Sequence, residues 1–361
     1  MIIKELELKD YRNYKELSID FDAGTNILFG DNAQGKTNIL EAIYLSATTK
    51  SHKGSKDSDI INFDKNEAHI RSVVSKDGIE SKIDMHLRAS KSKVIAIDGT
   101  KIKKAADLLG LINVVFFSPE DLSIIKNGPG ERRRFADMEL CQLDNFYLYN
   151  LSNYNKIINQ RNKLLKDIYF NPGLKETLSI WDSQLISYGS KIIERRKMFA
   201  EQISDILQKY HYKLSGGREN IVIKYEPNVE IDEYEKKMSI SQERDISAKM
   251  TNVGPHRDDF SFIVNGIDIR KFGSQGQQRT AALALKLSEI ELVKKMVKDN
   301  PILLLDDVLS ELDSNRQNYL LDCIGDIQTI ITCTGLDDFI DNNFKINKSF
   351  KVTNGEVVCQ N

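Results

Sequence analysis

The sequence predicts an α/β protein whose sheet-bearing core is divided by an inserted helical-hairpin arm. Three observations carry that reading: short strand patterns over the first 125 residues, heptad-like helical spacing in the middle, and buried-strand and helix patterns after residue 220. The 361 residues exceed the roughly 150 of a typical domain, so two domains or one composite core with an insertion is expected. The expected division is 1–125 and 221–361 for the two core segments and 126–220 for the arm.

In the first segment, residues 21–29 read as a strand, and 37–47 as a helix with Ile39, Leu40, Ile43 and Ala47 on one face. Residues 94–97, followed by Asp98-Gly99, read as a hairpin. In the arm, Tyr147, Leu151, Tyr154, Ile158 and Leu165 follow the 4-3-4 spacing of a heptad seam, interrupted by Arg161. Asn171-Pro172-Gly173 breaks that helix. A second series follows at Leu174, Leu178, Trp181, Leu185, Tyr188, Ile192, Phe199, Ile203, Ile206 and Tyr210, interrupted only by Arg195. Unbroken, this helix would be on the order of 55 Å long and would fold back antiparallel on the first. Residues 221–225 return to strand character. Residues 277–298 then read as an amphipathic helix with Leu283, Leu287, Ile290 and Val297 on one face, and 302–305 as a buried strand ending at Asp306.

Composition narrows the function classes. Hydrophobic residues at 40% and charged residues at 29% exclude a disordered chain. The net charge of −2 excludes a uniform basic field, so any polyanion site is local. Residues 50–104 hold 13 Lys/Arg against 8 Asp/Glu, clustered at Lys50, Lys53 and Lys56, at Lys91 and Lys93, and at Lys101, Lys103 and Lys104. A further basic run is Arg132-Arg133-Arg134. Such runs serve either as solvated surface or as a phosphate-binding face. Cys141, Cys323, Cys333 and Cys359 are spaced too irregularly for a zinc ribbon and read as reduced thiols, so a cytoplasmic protein is expected. There is neither a signal-peptide-like apolar stretch at the N-terminus nor a run of about 20 apolar residues, and no membrane partner is expected.

The chemistry-bearing motifs converge on a nucleoside triphosphate. Gly30-Asp31-Asn32-Ala33-Gln34-Gly35-Lys36-Thr37 fits G-x-x-x-x-G-K-[ST] between a predicted strand and a predicted helix, which continues through Asn38. The glycines allow backbone N–H groups to wrap a phosphate, Lys36 adds a point charge, Thr37 offers a hydroxyl to Mg²⁺, and the helix N-terminus adds positive potential. Asp306 and Asp307, at the end of an apolar strand, deliver carboxylates to the same sheet edge. Asp306 suits Mg²⁺, and Asp307 is placed to orient or deprotonate an attacking water. Gly273-Ser274-Gln275-Gly276-Gln277-Gln278-Arg279 opens the long helix, a geometry able to grip the exposed side of a γ-phosphate. In a monomer that phosphate is out of its reach, so donation by a second copy is expected: ATP joins a head-to-tail homodimer.

Taken with Leu6–Tyr14, Ser118-Pro119-Glu120-Asp121-Leu122, Gly254-Pro255-His256-Arg257-Asp258-Asp259 and Leu305–Asp313, these motifs resemble the RecF family along the whole chain. That family comprises bacterial recombination and replication-repair ATPases related to SMC proteins. The resemblance implies an ABC-type, SMC-like ATPase head with an inserted arm. It also implies a place for Arg12 near the nucleotide, a Q-loop region at Pro119-Glu120-Asp121 and a dimer-interface D-loop at Ser310-Glu311-Leu312-Asp313. Leu214-Ser215-Gly216-Gly217 looks closer to the ABC signature than Ser274–Gln278 does. It precedes a strand, however, and reads as the turn closing the arm. ABC ATPases usually carry Glu where Asp307 stands, which fits weak turnover, and Ile331-Thr332-Cys333-Thr334 lacks the switch histidine many of them have. His256 and Arg257 have no assigned role.

The resemblance further implies ATP-induced dimerisation, sequence-independent binding of double-stranded and gapped DNA, and slow hydrolysis that resets the clamp. It implies RecO and RecR as partners in RecA loading at single-strand gaps, and a part in the SOS response. Lys50, Lys53, Lys56, Lys101, Lys103 and Lys104 are the candidate DNA contacts. An ABC-type ATPase acting on a protein partner, as in transport or chaperoning, shares the first three motifs and is the competing expectation. A GTPase is disfavoured because no N-K-x-D motif occurs.

Overall fold

A computed structural model describes residues 1–336 and 345–360. These residues form two compact units, Met1–Asp121 with Glu289–Asn361, and Leu122–Ser288.

The first unit opens with β1 (Ile2–Tyr11), β2 (Tyr14–Asp20) and β3 (Thr25–Phe29), then α1 (Lys36–Thr48) and the short α2 (Asp57–Ile60). Next come β4 (Glu67–Lys76), β5 (Ile79–Arg88), β6 (Val94–Ile97), β7 (Thr100–Lys101) and β8 (Val114–Phe117). An antiparallel sheet runs β2-β1-β4-β5-β6-β7. Its strands alternate because one face is packed and the other solvated: Leu6, Leu8, Ile70, Ile83, Met85 and Leu87 join the core, while their neighbours point outward. The β6–β7 turn at Asp98-Gly99 matches the hairpin read from sequence.

The second unit contains α3 (Leu122–Lys126), α4 (Pro129–Leu143), α5 (Asn145–Ile168), α6 (Leu178–Leu214), β9 (Ile221–Glu226), α7 (Tyr234–Ala248), β10 (Asp259–Val264), β11 (Ile267–Asp268) and α8 (Ile269–Phe272). The residues of α9 (Gln275–Val297) fall in both units. α6, with 37 residues, is about 55 Å long. Its buried positions Leu178, Leu185, Ile192, Phe199 and Ile206 recur every seven residues, the period that keeps one stripe against a partner helix. That partner is α5, and the pairing is antiparallel, because Arg161 meets Asp182 while Tyr147 meets Arg196.

The boundaries of the arm differ from expectation. Residues 221–288 pack with the helical pair rather than with the second core segment. Two things recruit them: the three-stranded sheet β11-β10-β9 lies against α4 and α6, and Asp258 is buried against Arg196 of α6 at 2.9 Å. The expected 221–361 segment also includes 337–344 and Asn361, which lie outside the described residues. The heptad interruptions resolve differently too. Arg161 is fully buried in the seam, bound to Asp182 at 2.6 Å and to Asp245 and Thr251 at 2.7 and 2.9 Å. On α6 the buried arginine is Arg196, whereas Arg195 stays half exposed beside Asp144. The Arg132–Arg134 run is not a basic surface: Arg132 is buried and bidentate to Asp259 at 2.7 and 3.0 Å, and Arg133 donates to the Asp258 carbonyl.

The chain re-enters the first unit through β12 (Ile302–Asp306), α10 (Ser314–Ile324), β13 (Thr329–Cys333), β14 (Lys348–Thr353) and β15 (Glu356–Gln360). They complete a second sheet, β15-β14-β3-β13-β12-β8, in which all pairings but β14–β15 are parallel. Its central strands are buried throughout, as parallel strands covered on both faces must be. α1 packs against β4 of one sheet and against β8, β12 and β13 of the other, with Ile39, Leu40 and Ile43 fully buried. Each such side chain contributes about 1.5–3 kcal/mol. α9 is not amphipathic as expected. It is buried on every side from Thr280 to Ile290, Lys286 and Glu289 included.

Two outcomes follow for stability. Arg161→Met leaves Asp245 buried without its cation and should destabilise the protein by about 3–5 kcal/mol in urea unfolding. Burial pushes His52 and His256 down to about 4 from the usual 6.5. The unfolded chain therefore takes up protons that the folded chain refuses. Stability is unaffected above about pH 6.5 and falls as pH drops toward 4, and His256→Gln should flatten that slope in thermal melts across the window.

Candidate functional site

The phosphate loop forms because β3 ends at Phe29 and α1 begins at Lys36, leaving six residues to reverse the chain at a sheet edge. Gly30 and Gly35 take φ of 148° and 112°, and Ala33 takes 65°. The two glycines are required sterically as well. A Cβ at Gly30 would lie 2.3 Å from the Val352 carbonyl oxygen, and one at Gly35 would lie 2.5 Å from Asn13 Nδ2. Lys36 is 4% exposed, and its ammonium donates to the Gly30 and Asp31 carbonyls at 2.6 and 2.9 Å. Asp31, Asn32 and Ala33 are exposed at the loop's crest.

The loop is braced from β1–β2 and from the C-terminal hairpin. Asn13 Nδ2 donates to the Gln34 carbonyl at 3.0 Å, and Asn13 Oδ1 accepts from Asn38 at 2.8 Å. Tyr14 donates to the Gly35 carbonyl at 3.0 Å, and the Asn354 N–H donates to Gln34 Oε1 at 2.6 Å. Asn13 and Tyr14 belong to the N-terminal motif, but only the fold reveals that they hold the loop. Arg12, expected near the nucleotide, is engaged with α1. Its guanidinium is bidentate to buried Glu41 of α1 at 2.9 Å on each arm, and it also reaches Ser55 and the Asp59 carbonyl.

The structure brings Asp306 to this loop. Thr37 Oγ1 donates to Asp306 Oδ1 at 2.7 Å, and Thr332 Oγ1 donates to the same oxygen at 2.8 Å. Thr332 Oγ1 in turn accepts the Asp307 N–H at 3.0 Å, with Asp307 at φ 49°. Thr332 has no counterpart among the residues picked from sequence. Thr332 is one of two threonines in a largely apolar strand, and its role becomes readable only once the β12–β13 register pairs it with Asp306.

Ser274, Gln275, Gly276 and Gln277 lie in the second unit. Ser274 Oγ accepts the Gln277 N–H at 3.2 Å and Gln277 Oε1 accepts the Ser274 N–H at 2.9 Å, a reciprocal cap on α9. A Cβ at Gly276 would find nothing nearer than Ser274 Oγ at 3.9 Å, so no packing within the chain demands glycine there. Gln277 also donates to Glu219 at 2.8 Å, and Glu219 pairs with buried His211 of α6 at 3.1 Å. Leu214-Ser215-Gly216-Gly217 ends α6, with both glycines left-handed.

Elsewhere, Pro119–Asp121 and Leu309–Glu311 are single 3₁₀ turns, and Asp313 caps α10 through the Arg316 N–H. Lys50, Lys53, Lys56, Lys101, Lys103 and Lys104 are all exposed, whereas Lys93 of the same basic segment is tied to Asp57 and the Thr49 carbonyl. His256 is bound on both ring nitrogens, by Tyr154 at 2.7 Å and by the Thr251 carbonyl at 3.0 Å. With the Arg196–Asp258–Tyr225 cluster, it belongs to the core of the second unit. No helix among the described residues is long and apolar enough to cross a membrane.

Residues 2–356 match the family described as RecF/RecN/SMC N terminal domain. The chain is 60% identical over its whole length to the DNA replication and repair protein RecF of Lachnospira eligens, and covers all of that protein. It is 46% identical to the RecF of a Clostridium botulinum strain, over 99% of this chain and 100% of the relative. A solved structure of the recombination mediator protein RecF-ATPrS in the RecFOR pathway superimposes with a TM-score of 0.92 at 37% identity, covering 100% of this chain and 98% of that one. An Smc head bound to the C-winged helix domain of ScpA matches at a TM-score of 0.58 and 18% identity, which bears on the fold alone. With an ABC-type head carrying an inserted helical arm, and full-length likeness to these proteins, the chain belongs to the RecF family.

Proposed function

We propose that this chain is an ATP-hydrolysing DNA replication and repair protein whose nucleotide is shared between two copies. The observation that carries the reading is the meeting of the phosphate loop with the strand-end carboxylate, Thr37 Oγ1 to Asp306 Oδ1 at 2.7 Å. Lys36 is positioned to exchange the Gly30 and Asp31 carbonyls for the β- and γ-phosphates, and N–H groups of the loop between Gly30 and Asn38 would wrap the phosphates. A hydroxyl and a carboxylate form a hard-oxygen pair that fits Mg²⁺, so Thr37 and Asp306 would hold that ion. When bound, it neutralises charge on the phosphates. Asp307 would orient the attacking water, and its backbone is fixed for that by Thr332.

Ser274 and Gly276 of a second copy would close over the γ-phosphate. The open space around Gly276 supports this, as does the pre-formed cap that leaves Ser274 and Gln275 exposed. Closure would double the number of exposed lysines offered to DNA, from the groups at Lys50, Lys53 and Lys56 and at Lys101, Lys103 and Lys104. Such contacts give sequence-independent, salt-dependent binding despite a net charge of −2. Arg12, held on Glu41 of α1, would lie near the nucleotide. Cytoplasmic work beside RecO- and RecR-like partners agrees with the pathway in which the solved relative acts. Transport or chaperoning is disfavoured, since the full-length relatives are DNA replication and repair proteins.

Complementation between defective chains tests the sharing. Lys36→Met and Ser274→Arg should each lower ATP turnover by roughly 10²-fold or more. Mixed together, they should regain a fraction of wild-type turnover, because one intact loop meets one intact serine turn. A mixture no more active than its components rules out a site built in trans. Thr332→Val removes two hydrogen bonds at Asp306 and Asp307 and should slow steady-state turnover by about three- to tenfold with little change in melting temperature.

A further inference from the structure

The solvated face of the antiparallel sheet carries a second set of ligand-capable side chains, separate from the nucleotide residues. Alternation along β4 buries Ala68 and Ile70 and turns Glu67, His69 and Arg71 outward; along β5 it buries Met85 and Leu87 and turns Asp84, His86 and Arg88 to the same face. The register sets His69 directly opposite His86. Their rings stack at 4.2 Å with 17° between planes, and His86 Nε2 lies 2.8 Å from Glu67 Oε2. One donor atom from each of Glu67, His69 and His86 lies within 4.8 Å of the other two. Donors held about 2.1 Å from a tetrahedral metal are about 3.4 Å apart, so modest side-chain rotations close the set.

The surroundings favour a cation. Arg71 is neutralised by Asp84 at 2.6 Å and Glu7 at 3.1 Å, and Lys9, opposite His69 on β1, is 3.7 Å from Glu16. His69 and His86 line a cleft of about 800 Å³ whose apolar side includes Leu17, Val94 and Ala96.

From this juxtaposition we propose that Glu67, His69 and His86 bind one divalent transition-metal ion of the Zn²⁺ class, with a further coordination position open to the cleft. Two imidazoles and one carboxylate select Zn²⁺, Co²⁺ or Ni²⁺ over Mg²⁺ and Ca²⁺, so the site is chemically distinct from the Thr37–Asp306 pair. Three protein ligands with an open position leave room for water or a small anionic ligand.

Co²⁺ titrated into the full-length chain without nucleotide, and followed by visible absorption, tests this. The wild-type protein should take up one equivalent with nitrogen/oxygen-type bands and no thiolate charge transfer, and Zn²⁺ should displace it. The double variant His69→Ala/His86→Ala should lose that equivalent, and each single variant should bind about tenfold more weakly or worse. Zn²⁺ should raise the melting temperature of wild type but not of the double variant, which also establishes that the variant folds. Absence of a Co²⁺ equivalent in wild type, thiolate bands, or unchanged uptake by the double variant would overturn the assignment.

Discussion

A single carboxylate oxygen, Asp306 Oδ1, organises the nucleotide site. It accepts hydroxyls from Thr37 at the start of α1 and from Thr332 in β13, tying together three elements far apart in sequence. The parallel sheet makes this possible. β3, β12 and β13 are adjacent strands whose C-terminal ends meet at one edge, so a loop after β3 and a carboxylate at the end of β12 arrive together. With Lys36 held by loop carbonyls and Asn13 and Tyr14 bracing the loop, the phosphate-binding backbone is preorganised.

The second unit depends on buried charge in the same way. Arg161 and Arg196 sit in the seam of the α5–α6 pair, each paired with an acid from a segment beyond the hairpin, Asp245 and Asp258 respectively. Such pairs add little net stability over a hydrophobic contact, but leaving one partner alone is costly. They join the helices to residues 221–288, which belong to the same unit. Glu219 extends that logic to the serine turn, joining His211 of α6 to Gln277 at the start of α9.

Periodicity and local motifs made much of this legible in advance. The seven-residue spacing of Leu178, Leu185, Ile192, Phe199 and Ile206 announces α6, and G-x-x-x-x-G-K-[ST] announces the loop. Asp306 was readable because an apolar strand ending in acids has few other uses. Thr332 was not, since its role depends on strand register across 26 residues. Arg132, read as part of a basic run, shows the same limit: an arginine in a helix looks the same whether it faces water or a distant aspartate. The Glu67–His69–His86 group was equally hidden, because pairing His69 with His86 requires the β4–β5 register.

The central claim is that one triphosphate joins two copies of this chain. The most direct test is the molecular mass of the wild-type protein in solution, measured without nucleotide, with ATP, and with ATP and duplex DNA at two salt concentrations. Doubling of the 41.2 kDa chain on ATP addition, with DNA retained only by the doubled species and released at the higher salt, is the predicted result. A chain that stays single with ATP while holding DNA equally well would contradict the account.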